Sequence, residues 1–402
     1  MIKRPWLVVV GAGRWQLDGI VKAQQAGIRV FALDGNPDAE GLAIAERAHV
    51  VDIRDSAAVL HAVKTSGIRP DGAVSLTSDA GMMAVGTLRK HYDLPGADLD
   101  ILHLMVNKAE QRRVWQENGL PIPEWYAAKS VTQARKAVKQ LGLPVVVKPV
   151  DSAGSRGVTV VESESEIGDA IGKAFNASST RTIIIEAVLG GREYTVETLT
   201  IEKIHYVLAV TVKQKVPGTR GTVACELATP DSSLIIDRVG TIACRALEAL
   251  GYPQGPGHTE IMLDEKDNIG IIETSGRGGG FMVADGLVPA CSGYDLNKAT
   301  VMMAVGERVH KPDVESKKKA CVLRFIPSQP GRVRRIFGFD EVVQLKNVDA
   351  GLFIEEGFIG KTVSQDEDRF GYILSWGDDV GDALSLADRA ESLVGFEIDT
   401  CL

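Results

Sequence analysis

A chain of 402 residues is longer than one ordinary hydrophobic core needs and has room for two or three domains. With 45% hydrophobic and 24% charged residues it has the composition of a globular protein. A net charge of −8 and a pI near 5.5 exclude a general nucleic-acid binder, which needs a basic face. No apolar run approaches the ~20 residues of a membrane span. The apolar start Trp6–Val10 ends in a glycine turn, so it reads as a first strand and not as a signal peptide. Lys317–Lys319 reads as a solvated strand entry. Five cysteines, at 225, 244, 291, 321 and 401, lack any CxxC spacing, which signals neither a disulfide framework nor a zinc site and fits a reducing cytoplasm.

Leu7–Val10, Gly11-Ala12-Gly13, a helix over Gln16–Ala26, a strand over Arg29–Leu33 and Asp34 trace a mononucleotide-binding βαβ outline. Gln16 stands where a dinucleotide fingerprint has its third glycine, which favours a plain α/β domain with a tight first turn. Alternation of strands and helices continues through Val50-Val51, Ala57–Thr65, Gly72–Leu76 and Ala80–His91, and Pro95-Gly96 breaks it. A first domain over roughly 1–105 follows.

A helix begins at Asn107 and ends at Gly119, with Lys108 at its start, where the macrodipole does not favour a cation. Pro121 and Pro123 form a linker, Trp125 opens a strand, and Val131–Leu141 is a helix. Val145–Val158 then reads as a hairpin, with three β-branched residues before Lys148 and a tip carrying Gly154 and Gly157. Such a tip can fold over a polyphosphate, because glycines let backbone amides approach it closely. A helix over Glu164–Phe175, a strand Thr182–Ile185 and a long antiparallel pair, Glu193–Ile201 with Ile204–Val212, come next. Asp231–Leu250 is a helix, and a glycine- and proline-rich turn leads to the second informative stretch.

There, His258–Leu263 and Ile269–Thr274 form a hairpin in which Glu260 falls opposite Glu273, or one residue off. Glu260 shares a face with Met262, and Glu273 is expected to share one with Ile271. Two facing acids are costly to ionise unless a cation lies between them, and Mg²⁺ takes one or two carboxylates plus phosphate oxygens. Arg277-Gly278-Gly279-Gly280 adds a cation and open backbone. Together with Lys108, Lys148 and the glycine tip, these are the parts of a nucleoside triphosphate site, without a GxxxxGK[ST] or kinase motif.

The ordered segments NKAEQRR, VVVKPVDSAGSRGV, IIIEAVLGGREYTVET, GPGHTEIML and IIETSGRGGGF resemble the ATP-grasp superfamily, in its group of carbamoyl-phosphate synthase large-chain-like proteins and L-amino acid ligases. The resemblance covers nearly the whole chain. It implies an α/β and α+β architecture: a Rossmann-like pre-ATP-grasp domain over 1–105, an ATP-grasp domain over 106–305 with a flap at about 125–190, and an α+β lid over 306–402. Lys108 and Lys148 fall at its phosphate lysines, Ala153, Gly154, Ser155 and Gly157 in its phosphate-covering loop, and Glu186 with the backbone of Ala187, Val188 and Leu189 at its adenine hinge. Glu193 falls at its ribose acid, Glu260 and Glu273 at its magnesium ligands, and Arg277 at its catalytic arginine, with Lys148 also acting in catalysis. The family reads Glu-x-Asn-x-Arg at the second ligand; this chain has Ser275 in place of the asparagine. Glu226, His258, Gly278 and Gly279 are candidates for the substrate pocket, and related ligases have a histidine between Glu226 and Pro230 that is absent here.

The expected activity is therefore an ATP-dependent carboxylate–amine ligase acting through an acylphosphate, with ATP and Mg²⁺ (or Mn²⁺) bound. Its partners are a small carboxylate and an amine, with no nucleic acid or membrane and a homodimer as the assembly to look for. Purine-precursor carboxylation, bicarbonate activation or an ATP-binding protein with weakened catalysis are the alternatives.

Overall fold

The computed structural model describes residues 4–152, 154–219, 223–313 and 319–399. Ala153, Lys317, Lys318 and Cys401 lie outside them. The chain opens on four parallel strands, β1 (Trp6–Val10), β2 (Arg29–Asp34), β3 (Arg47–Val50) and β4 (Gly72–Val74), in the order β3-β2-β1-β4. Alternate residues of β1 enter two different cores: Val8 and Val10 one, Leu7 and Val9 the other. A parallel strand covered on both faces needs such an unbroken apolar run. In the first turn the Ala12 amide donates to Asp34 Oδ2 at 2.6 Å, and Gln16 Oε1 accepts from the Thr77 amide at 3.2 Å. Asp34 and Gln16 thus stabilise the turn itself, which leaves the βαβ outline as scaffold.

A helix the sequence pattern did not reveal, Leu99–Val106, follows with Asp98 as its cap. Asn107 closes it and caps the next helix, Lys108–Glu117, by accepting from the Ala109 and Glu110 amides. That junction fixes Lys108 at the first turn of its helix. Further along, Trp115 is fully buried and donates to the Ala246 carbonyl at 3.1 Å.

The flap is an antiparallel sheet in the order β5-β8-β6-β7, from β5 (Trp125–Ala128), β6 (Val145–Pro149), β7 (Thr159–Val161) and β8 (Ile183–Ala187). Helices Val131–Leu141 and Ile167–Ala177 bury alanines, valine and isoleucine against it. At the hairpin tip Gly154, Ser155 and Gly157 all have positive φ. Gly157 is fixed twice, because an added Cβ would also lie 2.6 Å from the Ala177 methyl.

The body is one antiparallel sheet of eight strands, ordered β13-β12-β9-β10-β11-β14-β18-β16. Its members are β9 (Arg192–Ile201), β10 (Ile204–Lys215), β11 (Ala224–Ala228), β12 (Gly255–Leu263) and β13 (Ile269–Ser275). β14 (Ala320–Pro327), β16 (Val348–Leu352) and β18 (Arg369–Gly377) join them from the C-terminal segment, through pairing of β14 with β11. A separate small sheet, β17-β15-β19, comprises β15 (Gly331–Phe337), β17 (Ile359–Gly360) and β19 (Gly395–Asp399).

In the β12–β13 hairpin Leu263 pairs with Ile269 and Glu260 directly with Glu273. A bulge between them leaves Ile272 as the extra residue of β13. This corrects the expected face of Glu273: Ile271 is fully buried in the core, whereas Ile272 and Glu273 both line the cleft. Truncating Trp115 to alanine is expected to cost about 3–5 kcal/mol, read as a lower urea midpoint with an unchanged slope.

Candidate active site

Between the flap and the eight-stranded sheet lies a cleft of about 820 Å³. The flap tip, the hinge at residues 187–189, the outward residues of β9, β10, β12 and β13, the loop at residues 77–80 and the C-terminal stretch 365–369 line it. Strand alternation explains the composition of the floor. On β12, His258, Glu260 and Met262 face the cleft, while Thr259, Ile261 and Leu263 are buried behind them.

Nearly every charged group here has an opposite charge within reach. Lys108 Nζ lies 2.8 Å from Glu273 Oε2 and donates to the Ser152 carbonyl at 2.8 Å. Burial works against the Lys108 charge, but Glu273, with Asp79 and Glu260 behind it, keeps its pKa above the usual lysine value. This resolves the unfavourable helix position of that lysine. Lys213 bonds both Glu193, at 2.6 Å, and Glu260. Burial disfavours its charge too, yet the two carboxylates raise its pKa well above normal. Glu193 also meets Lys215 at 2.8 Å.

Under the flap, Lys148 Nζ sits 2.7 Å from Glu186 Oε2, and Arg112 Nε 2.5 Å from Oε1. Burial would raise the Glu186 pKa, but Arg112 and Lys148 outweigh it and hold it at about 2. Lys148 itself is depressed, by burial and then by Arg112, against the pull of Glu186. Both Glu186 oxygens are therefore engaged by cations. Its side chain anchors Lys148, and Ala187, Val188 and Leu189 line the cleft beside it.

His258 Nδ1 bonds Glu197, whose other oxygen accepts from the Gly279 amide at 3.1 Å, and His258 Nε2 lies 3.6 Å from Glu260. Burial disfavours the imidazolium, but Glu197 pushes its pKa up to about 9. Arg277 forks onto Asp79 through Nε (3.2 Å) and Nη2 (2.9 Å).

Several candidate residues are placed differently from expectation. Ser275 does not line the cleft, and its hydroxyl is engaged as a donor to the Asp79 carboxylate. Glu226 is buried on the other face of its strand, where Arg324 grips it at 2.7 Å and Gln214 at 2.9 Å, which withdraws it from the substrate pocket. The Gly278 and Gly279 amides serve Leu76 O and Glu197, and side chains there would strike Ala284 and Val283. The adjoining Gly280 lines the cleft instead. Lys108, Lys148, Gly154, Ser155, Ala187, Val188, Leu189, Glu193, His258, Glu260, Glu273 and Arg277 all converge on it, while Gly157 supports the flap from behind.

Asp79, Arg112, Glu197, Lys213 and Arg369 were not anticipated. Period-two reading from Glu193 reaches Glu197, and the pair Lys213–Lys215 has the same spacing, so these two were accessible from the pattern. Asp79 and Arg369 come from segments far apart in the chain and carry no local signal. Thr195 Oγ1 is buried in the cleft wall without a partner among the described residues, marking the floor as a surface made for a polar ligand. Among the described residues no group of three or more His, Cys, Asp or Glu side chains is arranged to hold a metal ion. The protein offers two facing carboxylates, a set that suits Mg²⁺ completed by phosphate and water.

A flap with a buried lysine, a hinge and an acid-bearing antiparallel floor define the class: the chain has the ATP-grasp fold. Within it, residues 114–279 match the family described as D-ala D-ala ligase C-terminus, and residues 324–399 that of L-amino acid ligase C-terminal domain 2. The L-amino acid ligase from Bacillus licheniformis is similar in structure, with a TM-score of 0.86 at 21% identity, covering 99% of this chain and 100% of that one. An uncharacterized protein of Sinorhizobium fredii is 24% identical over 331 residues, 81% of this chain and 68% of its own length. The formate-dependent phosphoribosylglycinamide formyltransferase of Burkholderia lata is 30% identical over 205 residues, 49% of either chain, so this chain spans about half the length of that relative.

The Glu186 cluster gives a signed pH effect. Its folded pKa of about 2 lies below its ordinary 4.5, so its stabilisation is complete above 4.5 and is lost as pH falls through 2. Wild type is expected to exceed Glu186→Gln by about 3 kcal/mol near neutrality, with the gap narrowing below pH 4.5 in urea titrations.

Proposed function

We propose that this chain is an ATP-dependent ligase that joins a carboxylate to an amine through an acylphosphate. The observation that carries the reading is the direct opposition of Glu260 and Glu273, each neutralised by a lysine, beside Arg277 and beneath the Lys148 flap. Glu260 and Glu273 would hold Mg²⁺ or Mn²⁺, which supplies charge neutralisation at the phosphate oxygens.

The residues divide the remaining work. The hinge backbone takes the base, Glu193 the ribose, and Lys108, Lys148 and the flap amides the phosphates. Arg277 presents a planar, always-charged fork to the substrate carboxylate, a geometry Asp79 already satisfies at 2.9 and 3.2 Å. A carboxylate oxygen then attacks the γ-phosphorus as the bond to ADP breaks, a step governed by positioning and charge compensation. The amine lone pair next attacks the acyl carbon, the carbon–oxygen bond to phosphate breaks, and the amine proton leaves to solvent or phosphate. Water has to be excluded in between, and the Gly154–Gly157 tip is suited to closing over the site. His258, held by Glu197, lies 3.6 Å from the same Glu260 oxygen that Lys213 engages.

A reducing cytoplasm fits the four described cysteines, none of which is in a disulfide, and no described helix is long and apolar enough to cross a membrane. A homodimer is the assembly to test. The reading of a binding protein with weakened catalysis draws on Ser275, whose hydroxyl is turned to Asp79. One assay separates the two. A ligase releases ADP and phosphate only when a carboxylate from a pool of amino acids and small acids is added, with the amide seen by mass spectrometry. ATP binding with no turnover on any pool supports the weakened protein. Glu273→Gln is expected to lower turnover by roughly 10²- to 10³-fold, as for loss of a main electrostatic contact, with its circular dichroism unchanged; a fully active variant contradicts the ligand assignment.

A further inference from the structure

One turn of the helix Lys108–Glu117 grips three successive residues of β13. That strand ends the eight-strand order, so among the described residues its outer edge has no neighbouring strand. Peptide groups on such an edge need other partners. Lys108 Nζ lies 2.8 Å from Glu273 Oε2. Gln111 Nε2 donates to the Thr274 carbonyl at 2.7 Å, and its Oε1 accepts from the Thr274 amide at 3.3 Å. Arg112 Nη2 donates to the Ile272 carbonyl at 2.5 Å. Just past the helix, the Pro121 carbonyl accepts from the Ile271 amide at 3.0 Å. Positions i, i+3 and i+4 share one helical face, so Lys108, Gln111 and Arg112 engage residues 273, 274 and 272 together.

Gln111 is the uncharged member of this set, and it does not line the cleft. It is 1% exposed, and its Nε2 is fixed further by the Leu104 and Met105 carbonyls at 3.1 Å each. A carboxamide offers a donor and an acceptor as a peptide unit does. At Thr274 the side chain therefore stands in for a neighbouring strand. Packing alone asks only for apolar contact, which the fully buried Trp115 supplies one turn later in the same core as Ile271. Gln111 instead directs its polar atoms to the backbone next to Glu273. It does so where the ladder is irregular: the bulge beside Glu260 interrupts pairing with β12, so the ladder holds Glu273 less firmly there.

We infer that Gln111 is a positioning residue: by holding the Thr274 peptide on the open edge of β13, it sets the Glu273 carboxylate to ligate a divalent cation opposite Glu260. The inference rests on the metal-dependent ligase reading above and adds to it a residue outside the cleft. Arg112 extends the same link. Its Nε lies 2.5 Å from Glu186 Oε1, and Glu186 anchors Lys148. The strand that carries Glu273 and the lysine under the flap are thus tied to one helical turn.

The test reads metal binding and not turnover. Mn²⁺ is titrated into wild type, Gln111→Met and Glu273→Gln, each with equimolar ADP. Free Mn²⁺ is followed by its electron paramagnetic resonance signal and corrected for binding to ADP alone. Methionine is close to glutamine in length and volume and offers the Thr274 peptide no donor. Gln111→Met is expected to weaken Mn²⁺ binding by roughly 10- to 100-fold, the cost of losing a group that orients a metal ligand. Urea midpoints in EDTA are measured on the same proteins. A structural role alone lowers the midpoint and leaves the Mn²⁺ affinity of the folded protein unchanged, and that result overturns the inference. If Gln111→Met does not fold, Gln111→Asn, which keeps the carboxamide one methylene short, replaces it under the same criterion. Failure of wild type to bind Mn²⁺, or equal binding by Glu273→Gln, overturns the metal assignment itself. That outcome is distinct from one confined to Gln111.

Discussion

Two carboxylates facing each other across an antiparallel pair set the terms for the rest of the molecule. Glu260 and Glu273 are direct partners in the β12–β13 ladder. At an effective dielectric near 20, like charges ~5 Å apart repel by about 3 kcal/mol. A fold whose net stability is only about 5–15 kcal/mol does not carry that repulsion uncompensated. Lys213 from β10 and Lys108 from the helix after Asn107 each neutralise one of them. Holding Lys108 there takes the capped turn at Asn107 and the fully buried Trp115 about two helical turns further along the same face, so the acid pair is tied to packing well outside the cleft.

The same economy repeats across the site. Asp79 fills the fork of Arg277, Glu186 shares Arg112 and Lys148, and Glu197 fixes His258. Each protein ion has the sign and shape of a ligand group the proposed reaction would bring: ammonium where a divalent cation is expected, carboxylate where a substrate carboxylate is expected. Under the proposed function, binding would be an exchange of ion partners in place of a burial of bare charge.

The sequence carried most of this where the pattern was local. Continuous valines in β1, the length of the helix Val131–Leu141, and the facing of Glu260 with Glu273 all follow from periodicity and turn residues. What periodicity missed has physical reasons. The bulge that puts Ile272 and Glu273 on one side depends on pairing with β12, and no residue type announces it. Leu99–Val106 is apolar enough to pass for a buried connection until Asp98 is seen capping it. The Asp79–Arg277, Arg112–Glu186 and Glu226–Arg324 pairs join segments about 70 to 200 positions apart. Ser275 and Glu226 were misplaced for that reason: their partners, Asp79 and Arg324, arrive from other parts of the fold and engage each side chain there.

The central claim is that Lys213 occupies, in the free protein, a place in the electrostatics of Glu260 and Glu273 that a divalent cation takes on loading. Thermal denaturation of wild type and Lys213→Met, each in EDTA and in millimolar Mg²⁺, tests it without reference to turnover. The account predicts that the variant melts well below wild type in EDTA and that Mg²⁺ closes most of the gap, because the metal replaces the missing ammonium. A gap that is the same with and without Mg²⁺ would contradict it.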